Sequence, residues 1–557
     1  MIRLFLTFEL QKIASYFKTG KAAKLITGLL FIAVFAFVGV GLYYFFLSGF
    51  RFVNFSVEQE IQAPLTLFIY EVFLLVMAGV VVFSALVSGI FSLFRGEYDA
   101  WIISSPSYTL FPRIVLIKSL LTSSWPLFVM FLPAVLAFDK VYNLSTTVVI
   151  CILMSVVILL VLLNTMSLLS ILILSSAYYK VSQKMTSIRF SFGGLTTLFF
   201  LLTVAIIAKL WSTVSTVDLV KLFKADNIDI NVSIQTISSH FTFLPTHPLA
   251  LEILNWQNKH TTEALGNFSY LLILTLVALI AWWKISYLFY PLWQKFQEGS
   301  TKRSEKETTP KNTKATYYFT GSKTRALFTK EALVFRRNMK GVLWFLFLLG
   351  LWLAQVGTNI ILHHNIVRYE TDISEKLAVF QALQFIIAVY FICSFALRFV
   401  FPSFSVEKKT AWILGSAPLS FVKIFFSKYL FYTAFFVVMG TLMSYINFRI
   451  LNLSFTYGLY SMTLFVTTVI FIVTLGLSLG ALFPSTDTDD PEMISTSMSG
   501  LFFTALSLIY GALSAGVLYL TLTKGIVSLL VTFIALTCTA TGILLLHVPY
   551  RVSKRAL

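Results

Sequence analysis

Charged residues are scarce in this sequence: 12% of its 557 residues are Asp, Glu, Lys or Arg, whereas 58% are hydrophobic and 16% are aromatic. A soluble domain cannot bury so much apolar surface in one core. The composition therefore predicts an integral membrane protein. The few charges are biased, with 42 Lys and Arg against 24 Asp and Glu. In a membrane protein an excess of Lys and Arg indicates how the chain is oriented across the bilayer, so no nucleic-acid partner is expected.

Cysteine and histidine are also rare. Each of the three cysteines lies in an apolar run, so neither a disulfide framework nor redox chemistry is expected. Five of the six histidines fall in segments predicted to be external, without a fixed ligand spacing, which favours solvated side chains over a metal site. These histidines are His240, His247, His260, His363 and His364.

A nucleotide-binding loop is missing as well. Such a loop requires Gly-x-x-x-x-Gly-Lys-Ser/Thr, but Gly20-Lys21 is followed by Ala22, and Ser15 stands at the first glycine position. The sequence also has no His-Glu-x-x-His pair, nucleophile elbow or carboxylate pair in a plausible pocket, which disfavours a membrane enzyme acting on lipid. No cofactor of this chain itself is expected.

Long apolar runs are what the sequence does contain. About twelve of them can cross a bilayer core. They cover residues 22–47, 64–93, 113–138, 145–178, 190–211, 264–290, 341–361, 377–400, 421–447, 456–484, 496–521 and 525–549.

The polar segments around these runs predict the topology. Arg3, Thr7, Gln11, Ser15 and Lys18 share one stripe at helical spacing, which predicts an uncleaved amphipathic helix in the membrane interface. Lys and Arg concentrate in alternate connections, which predicts that both termini are cytoplasmic and that 212–263 is external. The acidic loop 485–495 departs from this pattern. The protein is expected in the plasma membrane of a bacterium.

Two loops repeat one order of residues. The stretch EYDAWIISSP begins at Glu97 and EKKTAWILGSAP begins at Glu407, each between two apolar runs. Offsets of 310 to 312 pair Glu97 with Glu407, Trp101 with Trp412, Pro106 with Pro418 and Lys118 with Lys428, and Glu9 matches Glu331 in the segment before each first span.

This recurrence predicts two parallel six-helix repeats, each preceded by an interfacial amphipathic helix. The predicted domains are a first half at 1–290, a basic linker at 291–322 and a second half at 323–557. The linker contains the low-complexity stretch QEGSTKRSEKETTPKNTKAT, which has too little apolar surface to fold.

At these residues the sequence resembles the membrane subunit of ATP-binding cassette exporters, in the type 2 permease class, with two halves fused. In that family a coupling helix between the second and third spans presses on the ATPase. The resemblance implies two cytoplasmic ATPase subunits that bind ATP and Mg²⁺, and export of an amphipathic, lipid-like or peptide-like substrate. It assigns ATPase coupling to Glu97, Trp101, Pro106, Glu407, Trp412 and Pro418.

The coupling loops also have a physical rationale. A tryptophan can fill a pocket on a partner, a glutamate can orient it, and a proline ends the short helix. The alternatives are aromatic anchors at the lipid interface and a solvated loop that caps helices. The sequence departs from the family pattern in two places: the Glu-to-Trp spacing is one residue shorter in the first half, and only that half contains 212–263.

Polar residues inside the predicted spans are candidates for a substrate pathway. Glu71 and Gln381 occupy the same repeat position, and a lipid-facing polar group there would cost a few kcal/mol. Asn164 is a further candidate. The alternative for all of them is an interhelical hydrogen bond.

A secondary transporter of the major facilitator type remains a second hypothesis for the whole chain. It shares the plan of twelve helices in parallel repeats. Its characteristic Gly-x-x-x-Asp-Arg-x-Gly-Arg-Arg-like loop has no counterpart in FRGEYDAWIISSPSYTLFPR, which begins at Phe94. We therefore rank the exporter first.

Overall fold

A computed structural model describes most of the predicted spans. Within the described residues every regular element is helical. From residue 39 onwards the chain divides between Lys314 and Ala315 into two compact units, which are treated separately below. The described residues are 36, 39–44, 46–51, 59–94, 111–184, 194–201, 205, 241–301, 323–337, 339–369, 374–407, 419–450, 455–484, 494, 495 and 497–556.

The described part of the first unit contains four long helices, α1, α2, α3 and α5, and a short one, α4. The short helix α4 packs on α1, α3 and α5, and α3 also contacts α1, α2 and α5. A further helix, α6, follows α5 after a 3₁₀ turn. The bounds are α1 Gln59–Phe94, α2 Phe111–Tyr142, α3 Thr146–Lys184, α4 His247–Gln257, α5 Thr261–Ile285 and α6 Phe289–Thr301.

In the second unit, helix α11 lies at the centre and packs on α10, α12 and α13. Helix α7 meets α8 at an angle of 75°. The bounds are α7 Lys323–Arg337, α8 Met339–Tyr369, α9 Ser374–Phe395, α10 Phe421–Ile450, α11 Phe455–Leu482, α12 Met498–Lys524 and α13 Val527–Ala556.

Eight helices in the described part are long and apolar enough to cross a membrane, or nine if the bent pair α7 and α8 counts as one span. The eight match eight of the twelve predicted runs, so the multi-pass prediction is confirmed and the number twelve stays a prediction. Helix α2 covers the predicted run 113–138 without being among the eight. The spans are Thr66–Phe94, Thr146–Gln183, Thr261–Phe296, Gln384–Ser403, Phe421–Ile450, Gly458–Leu482, Ser499–Lys524 and Val527–Lys554.

The surface of these helices is apolar. Val438 of α10 exposes 69% of its surface, and Leu536 and Leu546 of α13 expose 69% and 77%. Large apolar surface of this kind is unfavourable in water but matches lipid tails. The exposed leucines and valines are therefore the lipid-facing side of a membrane protein.

Helix bounds repeat with the offset of the sequence motifs. Helix α10 begins at Phe421, 310 residues after the first residue of α2. Helix α11 begins at Phe455, 309 residues after the first residue of α3. These offsets agree with those between the repeated loops, and the six-helix repeat itself stays a prediction. The interfacial helix predicted at the N-terminus and most of the linker 291–322 lie outside the described residues.

Helix α9 does not end sharply but changes its winding. Residues 396–400 form a π turn and Phe401–Ser403 a 3₁₀ turn around Pro402. A proline lacks the amide donor that an α-helix needs, so this change of winding has a local cause. The turn packs tightly on α11, because a Cβ at Gly480 would lie 2.2 Å from the carbonyl oxygen of Phe401. This contact fixes the segment that leads to Glu407.

Candidate functional site

Of the six predicted coupling residues, the structure describes only Glu407. The other five, Glu97, Trp101, Pro106, Trp412 and Pro418, lie outside the described residues, and their role stays a prediction. The surroundings of Glu407 therefore carry the structural information on this site.

Glu407 belongs to a buried ion cluster, which we define as Lys330, Glu331, Glu407 and Lys428. The Lys428 ammonium donates to Oε1 of Glu331 and to Oε1 of Glu407, each at 2.9 Å. The Lys330 ammonium lies 2.5 Å from Glu407 Oε1 and 3.3 Å from Glu331 Oε1. Two positive and two negative groups thus balance within one set of contacts.

Three separate elements supply this ion cluster. Lys330 and Glu331 lie on α7, Glu407 follows the 3₁₀ turn after α9, and Lys428 lies two turns into α10. Lys428 also donates to the carbonyl oxygen of Ser403 at 3.3 Å. The ion cluster therefore ties the amphipathic helix α7 to the start of the segment 407–418 and to α10.

Burial makes these charges interdependent. Lys428 is 1% exposed, Glu331 2% and Glu407 7%. Burial alone would raise the pKa of Glu407, but Lys428 and Lys330 outweigh it and hold that pKa below its usual value. Glu407 therefore stays ionised, and each buried charge depends on its partner.

The sequence repeat contains a signal for this ion cluster, because three of its four residues recur at equivalent positions in the first half. Glu331, Glu407 and Lys428 were each paired with a residue of the first half, namely Glu9, Glu97 and Lys118. Sequence reasoning expected Glu407 to orient a partner protein. It did not predict that Glu407 accepts a hydrogen bond from Lys428 of the same chain.

The pathway candidate Glu71 lies in the first unit against helix α4. Its Oε1 is 2.6 Å from Nδ1 of His247, and the two side chains are 1% and 15% exposed. His247, expected to be a solvated external side chain, instead packs on this carboxylate. The contact supports an interhelical role for Glu71, and a role in a substrate pathway stays a prediction.

Two more hydrogen bonds join α4 to the neighbouring helices. Tyr70 Oη donates to Gln257 Oε1 at 3.1 Å, and Ser155 Oγ donates to Glu252 Oε1 at 2.8 Å. Burial raises the pKa of Glu252 to about 7, although its hydrogen bonds with Ser155 and Trp256 lower it in part. Helix α4 thus covers the end of the first unit at which α2 joins α3. The predicted external segment 212–263 therefore ends in an ordered helix.

Asn164 joins helices α2 and α3 of the first unit. Ser119 and Ser123 donate to its Oδ1 at 2.9 and 2.7 Å, and its amide nitrogen donates to the carbonyl oxygen of Leu160 at 2.9 Å. Asn164 is fully buried. This geometry supports helix packing, and a pathway role stays a prediction.

Gln381 has different surroundings from its repeat partner Glu71. It is 4% exposed and lines a small cavity in the second unit. The two pathway candidates lie in different units, and a role in one shared pathway stays a prediction. Among the residues that the structure describes, no group of three or more His, Cys, Asp or Glu could hold a metal ion.

Comparison with protein families gives a match over most of the chain. The model of a family described as "Putative ATP-binding cassette" matches residues 20–551. Comparison with curated proteins and with solved structures finds no match.

Proposed function

This chain belongs to that ATP-binding cassette family, and we propose that it is the permease subunit of an exporter whose ATP is hydrolysed by a separate partner chain. The family match covers nearly the whole chain, and the described part contains at least eight candidate membrane spans. Two cytoplasmic ATPase subunits would bind ATP and Mg²⁺. The proposed cargo is an amphipathic, lipid-like or peptide-like molecule.

The observation that carries the proposal is the ion cluster. It lies at the end of the second unit where α7 precedes α8, which the proposed topology places in the cytoplasm. Its Glu407 begins the stretch that contains Trp412 and Pro418. A push on that stretch would be transmitted through Glu407 and Lys428 to α10 and α7, because buried ion pairs resist separation.

Helix α10 would carry such a displacement across the membrane. Lys428 lies near its first residue and Asn447 near its last, so these side chains are about 28 Å apart along the axis. Both are buried. One rigid helix thus connects the proposed ATPase side with the opposite end of the unit.

The experiment is capture of the ATPase by the affinity-tagged chain from solubilised membranes. We expect the cassette ATPase to co-purify in a ratio of two copies per chain. Trp101→Ala and Trp412→Ala should each weaken the complex by about 2 kcal/mol, the size of an interface hot spot.

The matched control is Trp283→Ala, because Trp283 is 64% exposed within the span Thr261–Phe296. This change should leave ATPase binding intact. If the chain with both Trp101 and Trp412 replaced binds the ATPase as tightly as the parent chain does, these tryptophans are only anchors at the lipid interface. Absence of any ATPase from the purified complex would contradict the proposed function.

A further inference from the structure

The second unit contains a small cavity between helices α9, α10 and α11, lined by both polar and apolar side chains. Its volume is about 20 Å³, which is room for one water-sized group. None of the side chains that line it is charged. They are Gln381, Gln384, Phe385, Ala388, Ser444, Asn447, Phe448, Ser461 and Phe465.

A network of amides fixes part of this cavity. Gln384 Oε1 accepts from the amide nitrogens of Gln355 and Asn359, the latter at 3.0 Å. Asn447 Oδ1 accepts from the same Asn359 nitrogen at 3.1 Å. Since both oxygens are occupied, Gln384 and Asn447 keep their amide nitrogens as donors.

Gln381 adds a third donor. Its Nε2 is buried and has no hydrogen-bond partner among the residues that the structure describes. A buried donor without a partner costs about 1 to 3 kcal/mol. That cost favours an occupant of the cavity that supplies an acceptor oxygen.

We propose that this amide cavity binds an uncharged oxygen group, a hydroxyl or a carbonyl, of the amphipathic substrate. Amide donors pair with such oxygens, and no cation is present to favour a phosphate or carboxylate. No anionic side chain lines the cavity to attract an ammonium group. The rings of Phe385, Phe448 and Phe465 line the apolar part of the cavity, and the rest of the molecule would lie outside it.

The matching position of the first unit has different chemistry. Glu71 stands there, and its Oε1 lies 2.6 Å from Nδ1 of His247 of α4. The two halves would therefore contribute unequally to recognition, with the polar contact made by the second. This assignment deepens the proposed function and rests on it for its role in export.

Direct binding tests the cavity without any ATPase. The full chain in lipid nanodiscs is photolabelled with diazirine derivatives of dodecyl maltoside, which is neutral and rich in hydroxyl groups, and of dodecyltrimethylammonium, which is cationic. The alkyl chain is the same in both probes. We expect the maltoside probe to label peptides around 381–388, 444–448 and 461–465, in competition with unlabelled maltoside.

Two substitutions at one position sharpen the test. Gln381→Leu should weaken maltoside labelling about tenfold, the effect of one well-formed hydrogen bond of about 1.4 kcal/mol. Gln381→Glu introduces the charge found at Glu71 and should shift the preference towards the cationic probe. A purely structural role for Gln381 would not change this preference. The control is Thr463→Val, because Thr463 is an exposed residue of α11.

Equal labelling of the parent by both probes, or labelling unchanged by Gln381→Leu, would mean that the cavity holds water only and would overturn the inference. The proposed function is tested separately, since it is contradicted if no ATPase co-purifies with the chain. If Gln381→Leu does not fold, Gln381→Glu alone decides, since its expected result is a gained preference for the cationic probe.

Discussion

Replacing Lys428 by Met removes the central cation of the ion cluster while keeping most of the length of the side chain. Lys428 contacts Glu331 and Glu407 at 2.9 Å each. Without it, two buried carboxylates share Lys330 alone, whose side chain is 30% exposed. The variant therefore tests whether the cluster holds α7, α10 and the turn after α9 together.

The expected loss of stability follows from the burial. Removing one partner of a buried ion pair costs about 3 to 5 kcal/mol. Because Lys330 stays and reaches solvent, we expect about 3 kcal/mol, measured as earlier thermal unfolding of the detergent-solubilised chain by size-exclusion fluorescence. The control is Lys423→Met on the same helix, where Lys423 is exposed and the change should fall within about 0.5 kcal/mol.

A second substitution tests the geometry of the cluster. Lys330 lies 2.5 Å from Glu407 but 3.3 Å from Glu331, so Lys428→Met leaves Glu331 with the weaker partner. Glu331→Gln should then restore more stability to Lys428→Met than Glu407→Gln does. If Lys428→Met unfolds at the same temperature as Lys423→Met, the ion cluster does not hold these elements together.

Three further predictions concern other contacts. Gly480→Ala should lower thermal stability, since its Cβ would meet the Phe401 carbonyl oxygen at 2.2 Å, whereas Gly516→Ala, with nothing within 4 Å, should not. The folded-state pKa of Glu252 is about 7, above its value of 4.5 when unfolded. Folding therefore favours the protonated form of Glu252, and about 3 kcal/mol of stability should be lost as pH rises from 4.5 through 7. In the Glu252→Gln variant, thermal unfolding at pH 5.5 and 8 should lack this contribution to the pH dependence of stability. Glu71→Leu should destabilise the first unit by about 2 kcal/mol through loss of the bond to His247, and Glu71→Gln should lose less. If Glu71→Gln instead alters the selectivity for cationic cargo at unchanged stability, Glu71 belongs to the pathway.

Much of the helical layout could be predicted because membrane spans are local features. A run of apolar residues specifies a span without reference to the rest of the fold. The offset between α2 and α10 likewise follows from the repeated loops at Glu97 and Glu407. Helix α4 was not predicted, since the external segment 212–263 contains no apolar run long enough to mark a span.

The contacts of the site could not be predicted because they join distant parts of the chain. His247 lies 176 residues from Glu71, and Lys428 lies 97 residues from Glu331. Neither pair follows from helical spacing. The sequence showed only that Glu and Lys recur at equivalent positions, and three-dimensional packing decided which of them meet.

The central claim, that a separate ATPase works through this chain, is tested most directly by ATP hydrolysis in proteoliposomes. The chain alone should hydrolyse no MgATP, and adding it to the co-purified cassette ATPase should change the rate of that enzyme. Lys428→Met should reduce the change, whereas Lys423→Met should not. Hydrolysis by the ATPase at one rate with and without the chain would contradict the account, as would MgATP hydrolysis by the chain alone.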